Sequence, residues 1–178
     1  MVITVVEIGD IIEVELENMA YGGESIGYID GGLTVFVSDG IPGERVRAKI
    51  YKKKPDYIKT ELIKVLDKSK ARIDPPCPVY EDCGGCQLQH MNYNSQLFYK
   101  KKMVTDTLNR IGGMKEVRVN SVIGQEYPWQ YRNKAQFPFT RDKEDKINTG
   151  FYRQGTHEVI INQNCLIQHP LLNKKKEK

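Results

Sequence analysis

The residues of this sequence best equipped for chemistry are its four cysteines, Cys77, Cys83, Cys86 and Cys165, arranged as C-x5-C-G-G-C with a distant fourth. Disulfides do not suit a chain without a secretory signal, because the cytosol keeps thiols reduced. Four thiolates suit a tetrahedral zinc ion, for which a C-x2-C pair is a common half-site. They suit an iron–sulfur cluster equally well. Gly84 and Gly85 have no side chains to obstruct the approach of backbone to metal, and their N–H groups are available to sulfur. From spacing alone, zinc and iron–sulfur both remain open.

The second chemical signal is charge. Net charge is only +4, but residues 1–44 carry nine acids and no Lys or Arg, whereas residues 45–72 carry eleven basic residues against three acids. Such a reversal suggests a basic surface facing a polyanion, since cations that neutralise phosphates release condensed counterions. The plainer reading is a solvated face. The candidates for phosphate contact are Arg45, Arg47, Lys49, Lys52, Lys53 and Lys54, with Tyr51 and Tyr57 as stacking platforms or as ordinary packing. Further along, Arg132, Lys134 and Gln136 alternate on an expected strand and so share a face, and Arg153 follows Phe151 and Tyr152. Arginine can fork onto phosphate or stack on a base, while Phe151 reads as core. His90 and His157 read as structural histidines.

These groups need a scaffold. Ile12, Val14 and Leu16 alternate with Glu13, Glu15 and Glu17, the period of a strand with one buried face. Residues 26–29 and 33–37 flank Asp30-Gly31-Gly32, a hairpin signal. After a second turn at 39–43, Val46, Ala48 and Ile50 point one way and Arg45, Arg47 and Lys49 the other, and residues 61–66 supply a fifth strand. Five short strands without an intervening helix predict a small all-β, OB-like barrel, since closure removes aggregation-prone edges. The order of Pro42-Gly43-Glu44 and the basic strand after it resembles the TRAM domain, an RNA-binding barrel, over roughly residues 8–67.

Pro75-Pro76 marks a boundary. The expected division is a barrel at 1–68, a linker at 69–76 and, at 77–178, a small α+β domain organised around the four cysteines. In the latter a helix is expected at 95–111, on the spacing of Leu97, Val104, Leu108 and Ile111 and the Gly112-Gly113 stop, with strands at 117–123, 131–140 and 158–161. A further helix begins at Pro170. The apolar runs at 2–6 and 33–37 are far too short to span a membrane, so a cytoplasmic monomer is expected.

Cys77-Pro78, Cys83-Gly84-Gly85-Cys86-Gln87-Leu88-Gln89-His90, Tyr131-Arg132-Asn133-Lys134-Ala135, Gly150-Phe151-Tyr152-Arg153 and Cys165-Leu166-Ile167-Gln168 resemble the amino-terminal half of the 23S rRNA uracil-C5-methyltransferases. The resemblance implies a TRAM domain followed by a central domain with a 4Fe-4S cluster held by Cys77, Cys83, Cys86 and Cys165, a cluster that zinc can replace. It implies 23S rRNA as partner. Methyl transfer in such enzymes needs a free cysteine thiolate and an S-adenosylmethionine domain. Neither is expected in this sequence, because no cysteine is left over and no Gly-rich loop follows a strand and opens a helix. The alternatives are the corresponding part of a tRNA uracil-C5-methyltransferase, or a freestanding RNA-binding protein with a structural zinc.

Overall fold

The computed structural model describes residues 6–174. Most of the apolar run at 2–6, and the lysine-rich end after Lys174, lie outside the described residues.

The alternating patterns become strands with the expected faces. β1 (Ile11–Met19) buries Val14 and Leu16 and turns Glu13, Glu15 and Glu17 to solvent. β2 (Ser25–Ile29) and β3 (Leu33–Val37) form an antiparallel hairpin around a three-residue 3-10 turn, where Gly31 and Gly32 take φ of 84° and 79°. Those angles exclude most side-chain-bearing residues. β4 (Arg45–Lys53) buries Val46, Ala48 and Ile50 completely. β5 (Tyr57–Asp67) is longer than expected and pairs with β4 on one side and with β3 on the other. The barrel therefore closes in the order β1-β2-β3-β5-β4, with β4 returning to β1. The β3–β5 pairing is parallel. Val14, Leu16, Val35, Val37, Val46, Ala48, Ile50 and Ile58 fill the interior.

One charged group inside this unit is deliberately placed. Glu44, the acid of the Pro42-Gly43-Glu44 turn, is 1% exposed. Its carboxylate receives two hydrogen bonds from Arg72, at 2.6 and 2.8 Å, and one each from the backbone N–H groups of Ile41 and Ser69. Arg72 also donates to the Asp39 carbonyl at 2.7 Å. Burial of a carboxylate is tolerated only when its lone pairs are met in this way. Residues 69–73 are consequently fastened to the barrel rather than forming a free tether.

His90 lies in the same region, 2% exposed and hydrogen-bonded to the Gly40 backbone. Burial, followed by the nearby Arg72 charge, lowers its pKa below the ordinary 6.5. The unfolded chain therefore takes up a proton near pH 6.5 that folded His90 refuses. Stability should fall as pH drops from about 7 towards 5, a window above that of ordinary carboxylates. Thermal midpoints at pH 7, 6 and 5 check this, and His90→Gln should flatten the dependence. An equal slope in that variant would assign the effect elsewhere.

The helix expected at 95–111 forms as α1 (Tyr93–Asp106), capped by Asn92 accepting from the Ser95 N–H at 3.0 Å, and continues as a wider turn over Thr107–Ile111. Gly113, at φ 62°, follows its end as the sequence requires. Its apolar spacing does not mark a buried face: no residue of α1 is buried, and Val104 and Ile111 are 49% and 84% exposed.

Two expected strands are corrected. Residues 117–123 alternate in type but form no strand, since alternation without a partner ladder leaves backbone groups unpaired. The strand expected at 131–140 survives only where β6 (Phe139–Arg141) begins. Upstream, the backbone of Gln130 and Arg132 bonds instead to residues 166–169. β6, β7 (Ile147–Tyr152) and β8 (Val159–Ile161) make a three-stranded antiparallel sheet, and α2 (Pro170–Lys174) starts at the proline as expected.

Contacts group the chain differently from the sequence boundaries. The described residues within Met1–Ile73 and His90–Val122 form one compact unit, and those within Asp74–Gln89 and Ile123–Lys178 a second. Helix α1 thus belongs with the barrel's unit, not with the cysteines, so the expected 77–178 division is redrawn. Among the described residues no helix is long and apolar enough to cross a membrane.

Candidate functional site

The four cysteines meet. Cys77, Cys83, Cys86 and Cys165 line one pocket of the second unit, together with Gln89 and Arg132. Two local structures present them. Residues 77–83 turn through bonds from the Tyr80 N–H to the Cys77 carbonyl and from the Cys83 N–H to the Val79 carbonyl. Cys165 is held by Asn173 of α2, whose Oδ1 accepts from the Cys165 N–H at 3.2 Å and whose Nδ2 donates to its carbonyl at 3.1 Å.

The glycines between Cys83 and Cys86 act differently from each other. The Gly85 N–H donates to Cys83 Sγ at 3.4 Å, as anticipated for a sulfur cradle. The Gly84 N–H instead bonds to the Tyr152 carbonyl at 2.9 Å, and a Cβ at position 84 would stand 2.9 Å from the Gln154 nitrogen. Gly84 is therefore needed to let the cysteine turn lie against the end of β7.

Burial pushes the Cys83 and Cys86 thiols up, and the neighbouring cysteines push the same way. Opposing this are the Gly85 N–H on Cys83, a hydrogen bond between the Gln89 side chain and Cys86, and the Arg132 charge on both. Four thiols, two of them with hydrogen-bond donors to sulfur, and a cation form a donor set that suits a thiolate-ligated centre. Among the described residues, no three His, Cys, Asp or Glu side chains are placed as ligands of a single ion.

The expected RNA contacts sort into paired and unpaired cations. Arg47 bonds to Glu13 at 2.8 Å, and Arg45 to Asp67 at 2.9 Å with Glu13 at 3.9 Å. Lys53 is drawn to Glu7 and the Val6 carbonyl. The antiparallel β1–β4 register, with Glu13 opposite Arg47 and Glu15 opposite Arg45, sets acidic against basic side chains across neighbouring strands. Lys49, Lys52 and Lys54 are exposed and make no ion pair among the described residues. Tyr51, 50% exposed, lies among them, whereas Tyr57 packs edge-on against Phe36 at 5.5 Å.

In the second unit Arg132, Lys134 and Gln136 lose the shared face that a strand would have given them. Lys134 and Gln136 are exposed, and Arg132 is half-buried at the cysteine pocket. Arg153 is engaged by Glu158 at 2.7 Å and by Asp82. These carboxylates, Glu158 foremost, raise its pKa and lock its charge in place. Sitting in a bridge with Cys83, Arg153 braces the cysteine turn. Phe151 packs on Phe137 at 5.5 Å, as expected of core. His157 is exposed, edge-on to Tyr152. Sequence reasoning missed the Glu44–Arg72 pair, the Asn173 clamp and the Gln89 contact, since none has a spacing signal.

A five-stranded barrel of this topology with cationic outer strands belongs to a class of small RNA-binding modules, and the TRAM domain model matches residues 5–63. Curated relatives extend the likeness beyond the barrel. An uncharacterized RNA methyltransferase of Caldanaerobacter subterraneus is 45% identical over 95% of this chain and 37% of its own length. Another from Bacillus cereus is 44% identical over 92% of this chain and 35% of its own, and one from Halalkalibacterium halodurans 42% over 90% and 34%. Residues 5–63 are thus a TRAM domain, and nearly the whole chain is similar to part of curated proteins named RNA methyltransferases. The chain spans about a third of the length of these relatives. The crystal structure of Pyrococcus abyssi tRNA (uracil-54, C5)-methyltransferase with S-adenosyl-L-homocysteine shares the fold, with TM-score 0.56 and 21% identity over 92% of this chain and 35% of that one.

Proposed function

We propose that this chain supplies RNA recognition and a 4Fe-4S cluster to an S-adenosylmethionine-dependent RNA uracil-C5-methyltransferase acting on 23S rRNA. The observation that carries the reading is the gathering of all four cysteines, which lie in two distant stretches of sequence, around one pocket in a relative of RNA methyltransferases. Cys77, Cys83, Cys86 and Cys165 would hold the cluster. When bound, it would tie the 77–86 turn to the 165–168 turn as an internal cross-link.

The work of the chain's own residues is to bind and hold RNA. Lys49, Lys52 and Lys54 are the cations with charge to spare, and Tyr51 offers a ring to an unstacked base. Lys134 and Gln136 extend the candidate contacts in the second unit. Such enzymes need the target uridine out of its stack. A barrel gripping the flanking strand helps to hold it there. With four thiols committed to the cluster, an attacking thiolate and an S-adenosylmethionine site would have to come from residues other than these.

The test begins with iron and sulfide analysis of anaerobically prepared protein. Near-stoichiometric iron and sulfide are expected, whereas zinc without sulfide would replace the cluster by a structural ion. Affinity for a structured 23S rRNA segment should exceed that for tRNA; the reverse order would move the substrate to tRNA. The triple change Lys49→Gln, Lys52→Gln, Lys54→Gln should reduce the slope of log affinity against log salt by about 2 to 3, roughly one counterion per lost phosphate contact. Arg45→Gln with Arg47→Gln should reduce it less, because Asp67 and Glu13 already neutralise those residues. Equal slopes for the two variants would place the phosphate path elsewhere.

A further inference from the structure

Arg132 stands apart from the other cations. Its backbone is bonded on both sides to the cysteine-bearing turn: the Arg132 N–H to the Ile167 carbonyl at 2.8 Å, and the His169 N–H to the Arg132 carbonyl at 2.9 Å. A parallel bridge to Gln168 completes the attachment. Arg132 lines the pocket of the four thiols. Unlike Arg45, Arg47, Arg72, Arg141 and Arg153, it has no carboxylate partner among the described residues. A half-buried arginine with no acid beside it needs a different source of negative charge.

We propose that Arg132 is the charge partner of the thiolate centre rather than a phosphate contact. Resting on the cluster reading above, this assigns the residue a tuning role. Four thiolates around a cluster leave net negative charge in a poorly solvated pocket. A guanidinium fixed beside them by backbone bonds offsets that charge without needing a solvent counterion. Were a bound cluster reduced by one electron, the neighbouring cation would stabilise the added negative charge. Arg132 therefore raises the reduction potential, through the same levers of local charge and hydrogen bonding that set such potentials generally.

The test uses the whole chain, reconstituted anaerobically, as wild type, Arg132→Met and Arg132→Lys. Both variants keep an aliphatic stem in the pocket and leave the backbone bonds in place, and lysine also keeps the charge. Dye-mediated titration with dithionite, followed by electron paramagnetic resonance, gives the midpoint potential. RNA affinity is measured across salt concentrations in parallel. Arg132→Met is expected to have a more negative potential than wild type, Arg132→Lys to recover most of the difference, and neither to change the salt slope. An unchanged potential in Arg132→Met, or a salt slope reduced by about 0.7 to 0.9 as for one lost phosphate contact, overturns the assignment. Wild-type protein that takes up no iron and sulfide overturns the cluster reading and this inference with it. Should Arg132→Met fail to fold, Arg132→Gln takes its place: a more negative potential with an unaltered salt slope supports the assignment, and an unchanged potential or a shifted slope overturns it.

Discussion

Glu44→Ala is expected to destabilise the barrel's unit by about 3 to 5 kcal/mol, the range for breaking a buried ion pair from one side. The loss has three parts. Arg72, whose side chain is only 17% exposed, keeps its charge and loses its carboxylate. The Ile41 N–H, buried with its residue, loses its acceptor. Ser69, and with it the 69–73 segment, loses one attachment to the turn. Urea unfolding followed by far-UV circular dichroism would measure the change. The double variant Glu44→Leu, Arg72→Met should recover much of the loss, since replacing both members of a buried pair by apolar residues is often close to neutral. A single variant within about 0.5 kcal/mol of wild type would show that the pair is not the fastening the geometry describes.

Cys83→Ser is expected to have the other large effect, confined to the second unit. Residues 77 and 165 are far apart in sequence, and a cross-link closing a loop of that order is worth on the order of 4 kcal/mol in chain entropy. Small units have little more stability than that to lose. Hydrogen exchange should show β7, β8 and the 130–132 segment losing protection while β1 to β5 keep theirs. Equal protection in wild type and variant, each prepared anaerobically with iron and sulfide, would mean that no shared inorganic centre binds the four thiols. Asn173→Ala, which removes the clamp on Cys165 but no thiol, should cost less, because it loosens one ligand without deleting it.

How much of this was legible beforehand depends on the range of the interaction. The alternation of Val14 and Leu16 with Glu13 and Glu15, and of Val46, Ala48 and Ile50 with Arg45 and Arg47, is a two-residue pattern, and both strands formed with the expected faces. The Asp30-Gly31-Gly32 hairpin is equally local, because only φ/ψ preference is at stake. Where the pattern needed a distant partner, it misled. Residues 117–123 alternate like a strand and find no ladder. Arg132, in the other expected strand, gives its backbone hydrogen bonds to the turn after Cys165. The spacing of Leu97, Val104, Leu108 and Ile111 foretold a helix correctly but not a buried face.

The sequence by itself determined the barrel's strands, the turns that reverse them and the identity of four thiols able to share a centre, because these depend on backbone preference, side-chain period and atom type. Only the tertiary structure decided which charges remain available. Along the chain an acidic stretch precedes a basic one, yet antiparallel pairing of β1 with β4 sets Glu13 against Arg47, so two of the most evident candidate cations are already neutralised. Likewise Glu44 and Arg72 became a buried pair, and Arg132 moved from a supposed RNA face to the rim of the cysteine pocket. Coulomb interactions act through space and not along the chain, so their partners are known only once strand register and loop closure have brought distant residues together.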